Sequence, residues 1–231
     1  MRRCIIFHYH LFKNAGTSVD KILQESFGDR WAEKEFDKSK KTPISKQVES
    51  WIKDTPDLSA YSSHTALMPL PEIPNTEVIP IIFIRHPLLR LYSAYSFERN
   101  QISENFGSKS AKKLDFAGYL EVRLSRPNDA SARNFQARRL SCFFPESYGG
   151  LHKRACHSLA KLPRIGLVEN FHKSMMRYEK LARQNELKLE TFNVRENVSN
   201  HSAMNHKQRV DYIEDMLPLT LIEKFKTENK T

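Results

Sequence analysis

The chain has 231 residues, 39% of them hydrophobic and 28% charged, which is enough length for one sizeable core and reads as a single domain over residues 1–231. Its 37 Lys and Arg against 27 Asp and Glu leave a formal charge of +10, which draws anions such as nucleotides, nucleic acid, sulfated glycans or acidic lipid without choosing among them. Cys4, Cys142 and Cys156 are an odd number with no close CxxC pair, so neither a disulfide framework nor a zinc ribbon is indicated and a reducing compartment is the default.

Cys4 to Phe7 is a short apolar run, predicted as a buried strand. A loop over residues 11–16 leads to Val19, Ile22, Leu23 and Phe27, whose spacing makes one face of a helix that ends near Gly28, with Thr17 and Ser18 standing where N-cap residues belong. Residues 29–60 are a polar, lysine-rich excursion with one helix around Ser45 to Ile52. Val78 to Ile84 is a continuous apolar run, as expected of a parallel strand covered on both faces. It stops at Arg85-His86-Pro87; Pro87 suits a first helical turn, and Leu88, Leu91, Tyr92 and Tyr95 repeat with helical spacing.

Residues 100–130 form a second loop-rich excursion with a short helix around Phe116 to Leu124. Phe135 and Leu140 mark another helix. Ile165 to Val168 is a third strand, followed by a helix carrying Met175, Tyr178, Leu181 and Ala182. The tail, Lys207 to Lys226, reads as two helices broken at Pro218. Strands alternating with helices predict an α/β fold of three layers, a central parallel sheet flanked by helices.

The segment His10-Leu11-Phe12-Lys13-Asn14-Ala15-Gly16-Thr17-Ser18 joins a strand to a helix N-terminus, where free N–H groups and the positive end of the helix dipole attract an anion. Gly16 permits close backbone approach, Thr17 and Ser18 add hydroxyls, and Lys13 adds a point charge. An ordinary capped helix with a surface lysine is the plain alternative. The stretch resembles the 5′-phosphosulfate loop of the carbohydrate sulfotransferases, of the Golgi type that includes the heparan sulfate 2-O-sulfotransferases, whose pattern runs His-Ile-Pro-Lys-Thr-Ala-Gly-Thr-Ser. His10, Lys13, Ala15, Gly16, Thr17 and Ser18 match; Phe12 replaces the proline and Asn14 the threonine. It is not a Walker A loop, because Lys13 precedes Gly16, and the second strand ends in Arg85 where a Walker B aspartate would stand.

Arg85 at a strand end, with Ser93 eight residues on in the following helix, is similar to the family's 3′-phosphate motif. Arginine offers a forked charged donor and serine a short neutral one. Singly, Arg85 reads equally as a salt bridge and Ser93 as helix surface; two motifs in order, each at a strand-to-helix turn, are the strongest signal in the chain. Weaker likenesses continue through residues 133–138, through 165–171 with Ser174, and into the tail around Pro218. The resemblance implies the P-loop-like sulfotransferase fold, 3′-phosphoadenosine-5′-phosphosulfate (PAPS) as donor, 3′-phosphoadenosine-5′-phosphate (PAP) as product, no metal, and Lys13, Asn14, Ala15, Gly16, Thr17, Ser18, Arg85 and Ser93 as donor-binding residues.

It implies also an acceptor hydroxyl, of a carbohydrate, approached from the side of the excursions around 29–60 and 100–130. Lys13 would meet the leaving phosphate oxygen. His64, in Tyr61-Ser62-Ser63-His64-Thr65, resembles the family's histidine just upstream of the second main strand and is the expected base, an imidazole titrating near neutrality being suited to the work. His10 is the second choice and Glu98 a third. The lysines at 38, 40, 41, 109, 112 and 113 read either as an anionic-acceptor surface or as solvated loops. The competing functions are a P-loop-type nucleotide kinase, which needs Mg-ATP, and a non-enzymatic polyanion-binding module; nucleic acid is not the expected partner. With no apolar stretch of about 18 residues, the chain as given reads as a soluble cytoplasmic enzyme; were an N-terminal anchor to precede it, the Golgi lumen would be the site, and the sequons at Asn197 and Asn200 would matter only then.

Overall fold

In a computed structural model, residues 2–192 and 204–229 are described; the two sequons lie outside them. The first half of the chain runs β1 (Arg3–Tyr9), α1 (Gly16–Phe27), β2 (Trp31–Glu33), α2 (Ile44–Asp54), β3 (Ala60–Ser63), β4 (Thr76–Ile81), β5 (Phe83–Ile84) and α3 (Pro87–Asn100). The second runs α4 (Phe106–Lys113), α5 (Phe116–Leu124), α6 (Phe135–Ser141), α7 (Leu151–Lys161), β6 (Gly166–Leu167), α8 (Phe171–Gln184), α9 (His206–Glu214) and α10 (Leu219–Glu228). Of the described residues, those within Met1–Ile84 and Arg139–Glu196 form one compact unit and those within Arg85–Arg138 and Asn197–Thr231 another.

The first unit carries the sheet, four parallel strands in the order β2-β3-β1-β4. Successive side chains of β1 point to opposite faces, and its sequence serves both. Ile6 joins Val19, Ile22 and Leu23 of α1 and Met175 and Tyr178 of α8 in one apolar cluster. Phe7, its neighbour in the chain, packs against Trp51 of α2 and Tyr61 of β3 on the other side. Helices therefore cover both faces, and the expected α/β arrangement, a parallel central sheet flanked by helices, is what the chain adopts.

The run predicted as one strand, Val78 to Ile84, divides at Ile82. Its N–H donates to the hydroxyl of Tyr178 at 3.3 Å, and its carbonyl accepts from Gly166 N–H at 2.8 Å and from the same hydroxyl at 3.0 Å, so the chain leaves the β1 ladder and continues as β5 beside β6. Pro80, which donates no ladder hydrogen bond, is tolerated because β4 is the outer strand of the four. Periodicity did not reveal β2, β3, α4 or α7. β3 reads Ala-Tyr-Ser-Ser with every residue buried, and its two serines masked it as a loop.

The second unit is helical. Leu88, Leu91 and Tyr95 of α3 pack with Ala111 of α4, Phe116, Tyr119 and Leu120 of α5, and Ile213, Ile222 and Phe225 from the two tail helices. Asn105 and Asp115 cap α4 and α5 by accepting from Ser108 N–H and Gly118 N–H at 2.8 and 2.9 Å. Among the described residues no helix is long and apolar enough to cross a membrane, and Cys4, Cys142 and Cys156 are all free thiols.

Candidate active site

The loop between β1 and α1 holds two non-glycine residues in the left-handed region, Lys13 at φ 62° and Ala15 at φ 61°. Such strain in non-glycine residues persists only where surroundings enforce it. Here the anchor is Asn14, buried to 1% exposure, whose side-chain amide donates to the Phe83 carbonyl at 2.7 Å. The expectation that Thr17 and Ser18 cap α1 is corrected: the N-cap is Ala15, it supplies no side-chain hydrogen bond, and Thr17 and Ser18 lie within the first turn. The N-cap residue therefore offers the first-turn N–H groups no side-chain acceptor, the arrangement that receives an anion.

Gly16 has a neighbour that sequence reading did not supply. A Cβ there would fall 2.0 Å from Cδ2 and Nε2 of His10, so the glycine makes room for an imidazole lying against the helix start. That ring is held, because His10 Nδ1 is 2.7 Å from Asp20 Oδ2, and His8 Nδ1 is 2.7 Å from Asp20 Oδ1. Gly16→Ala is accordingly expected to push His10 off Asp20 and to cost about 1–3 kcal/mol, a fall in Tm of roughly 2–12 °C. Thermal unfolding checks it, and an unchanged Tm would show that the ring can relocate freely.

His8 on β1 and His10 just past its end are two residues apart and both reach Asp20 of α1. Burial alone would raise the Asp20 pKa, but facing His8 and accepting from both imidazoles outweigh it and hold the carboxyl well below the usual carboxylate range. Burial pushes His10 down, against the pull of Asp20.

The parallel register carries the cluster onto the next strand. Tyr9 pairs with Ser63, and His10 N–H donates to the Ser63 carbonyl at 3.0 Å, so the residues that follow, His10 and His64, meet with ring centroids 3.7 Å apart and 29° between their planes. From beyond β2, Glu35 accepts from both His64 N–H and His64 Nδ1–H through Oε1, at 2.9 and 2.8 Å, and Glu33 Oε1 is 3.2 Å from the same Nδ1. Burial raises the Glu33 pKa and the neighbouring Asp20 adds to it; burial would raise Glu35 too, but donation from His64 and Thr65 lowers it on balance. Arg139 Nη2 donates to the carbonyls of His64 and Ala66 at 2.6 and 3.2 Å, which braces the segment. The whole group lies at the C-terminal edge of the parallel strands, where open α/β sheets bind ligands.

Arg85 and Ser93 belong to the helical unit. Arg85 immediately precedes the α3 turn, and its peptide is clamped by Gln136, whose Oε1 accepts from Arg85 N–H and whose Nε2 donates to the Arg85 carbonyl, both at 2.7 Å. Ser93 lies on α3. Glu98, the third candidate base, is engaged elsewhere: Oε2 accepts from Tyr119 at 2.7 Å and from Arg123 at 2.5 Å, and it is 8% exposed. It stands on the wall of a cavity of about 670 Å³ whose Arg123 is shared with Asp129. Ser174 accepts from Leu167 N–H at 3.0 Å, tying β6 to α8.

Sequence reasoning missed Asp20, Glu33, Glu35 and Arg139, and it noted Gln136 only within the weak likeness of residues 133–138. The spacing of His8 and His10 was a usable signal for a shared face; the meeting with His64, Glu33 and Glu35 depended on strand order, and that with Asp20 and Arg139 on helix packing, neither of which a local pattern carries.

The model of the sulfotransferase family matches residues 2–227. A protein of Archaeoglobus fulgidus described only as an uncharacterized protein is 39% identical over 221 residues, covering 93% of this chain and 87% of its own length.

Proposed function

The chain belongs to the sulfotransferase family, and from that premise we propose that it moves the sulfuryl group of PAPS to a hydroxyl of a carbohydrate acceptor, with His64 as base and no metal in the step. The acceptor oxygen forms the new bond to sulfur as the bond from sulfur to the 5′-phosphate oxygen breaks, and the acceptor proton goes to His64. The carrying observation is the His64 hydrogen bond: Nδ1–H donates to Glu35 at 2.8 Å, which leaves Nε2 with its lone pair free for a proton. The strained loop and the uncapped start of α1 support a role for Lys13 to Ser18 at the 5′-phosphosulfate, Lys13 neutralising the leaving oxygen. Arg85, with its peptide clamped by Gln136, and Ser93 are assigned to the 3′-phosphate on the motif they match. Three free cysteines suit a reducing, cytoplasmic setting.

Calorimetry with PAP against Mg-ATP tests the donor. PAP is expected to bind and Mg-ATP far more weakly, and Arg85→Ala is expected to weaken PAP by about 10–100-fold, the worth of a charge-assisted hydrogen bond. Equal affinity for Mg-ATP would favour a kinase, and a salt-steep affinity for polyanions without nucleotide preference would favour a binding module.

A further inference from the structure

Asp20, Glu33 and Glu35 gather three carboxylates around His8, His10 and His64, in a chain whose formal charge is +10. This local charge is opposite to the one a phosphosulfate seeks, and orienting the base uses only Glu35. One ligand atom from each of His10, Glu33 and His64 lies within 4.8 Å of the other two. Glu33 Oε1 and His64 Nδ1 are 3.2 Å apart, so the carboxylate already faces the ring whose nitrogen would share the ion. His10 has the arrangement that accompanies imidazole ligands, one nitrogen on a carboxylate, here Asp20, and the other left to coordinate.

We infer that His10 Nε2, His64 Nδ1 and the Glu33 carboxylate bind a zinc-type divalent cation, oriented from behind by Asp20, and that this ion blocks sulfuryl transfer rather than serving it. Two imidazoles and a carboxylate with a fourth position open favour zinc or cobalt over magnesium. The two rings lie stacked, so sharing an ion requires His64 to swing edge-on, a rotation that its 47% side-chain exposure permits. An ion on His64 Nδ1 selects the other tautomer of the ring: Nδ1 gives up the proton it donates to Glu35, and the single ring proton is then carried on Nε2, the nitrogen a base must keep free. The inhibitory part rests on the function proposed above; the binding part does not.

The full chain, stripped over chelating resin, would be titrated with zinc chloride by calorimetry and with cobalt(II) by visible absorption. Expected are one ion per chain, a Kd on the order of 10 μM or tighter, the absorption of four-coordinate cobalt, at least about tenfold weaker binding in His64→Ala and in Glu33→Gln, and about 10–100-fold weaker binding in Asp20→Asn. His64 and Glu33 are exposed, so both variants should unfold at the wild-type temperature, and zinc should abolish turnover at the same concentrations. Binding undiminished in both variants, or no uptake below about 1 mM, overturns the site; saturating zinc with turnover intact overturns the inhibition. Loss of PAP binding and of turnover without zinc would instead count against the proposed function and leave the metal result standing.

Discussion

Lys13→Ala is expected to lower kcat for sulfuryl transfer by about 10²–10³-fold, the effect of removing one preorganised charge from a site of developing negative charge. Lys13 sits at φ 62°, and alanine, which also carries a Cβ, meets the same left-handed backbone penalty as lysine, while Asn14 still anchors the loop on the Phe83 carbonyl. The substitution removes the ammonium. Because its charge matters most once the sulfur–oxygen bond is breaking, kcat should fall much further than the affinity for PAP. Lys13→Arg should restore little, since a planar fork does not replace a compact point charge. Steady-state kinetics over a range of PAPS, with PAP calorimetry on the same preparations, decides it: a kcat within tenfold of wild type removes Lys13 from the chemistry.

His64→Ala is expected to lower kcat by at least about a hundredfold while PAP affinity stays near that of wild type. The ring is half exposed and makes its bonds to Glu33 and Glu35 at the edge of the sheet, so its removal opens no core cavity and the Tm should move little. Glu35→Gln should show a smaller loss, because a neutral amide still accepts from Nδ1–H but stabilises the imidazolium less. Added imidazole should partly restore His64→Ala and leave Lys13→Ala unchanged, a distinction that a general loss of structure would not produce. If His10→Ala abolishes turnover while His64→Ala retains it, the base is His10, whose ring is stacked on that of His64 and whose Nδ1 rests on Asp20.

Composition and local pattern by themselves determined the class of the fold: the apolar runs at residues 4–7 and 78–84, and the helical spacing after Gly16 and Pro87, are short-range facts that a sheet and its covering helices must satisfy wherever they pack. The same range of information exposed the loop from His10 to Ser18, because a strand, a lysine, a glycine and a helix start are contiguous in the chain. Tertiary structure decided the rest. Which strands are neighbours is settled by the pairing of β1 with β3 and of β3 with β2, and only that pairing brings His10, His64 and Glu33 together from positions 10, 64 and 33. Asp20 joins His8 and His10 because α1 packs back over β1, and Gly16 proves to accommodate His10 because the ring lies against the first turn. Hydrogen bonds between distant residues leave no periodic trace in a sequence, since each needs only one suitable side chain at one position; they exist once the chain has chosen its strand order, and not before.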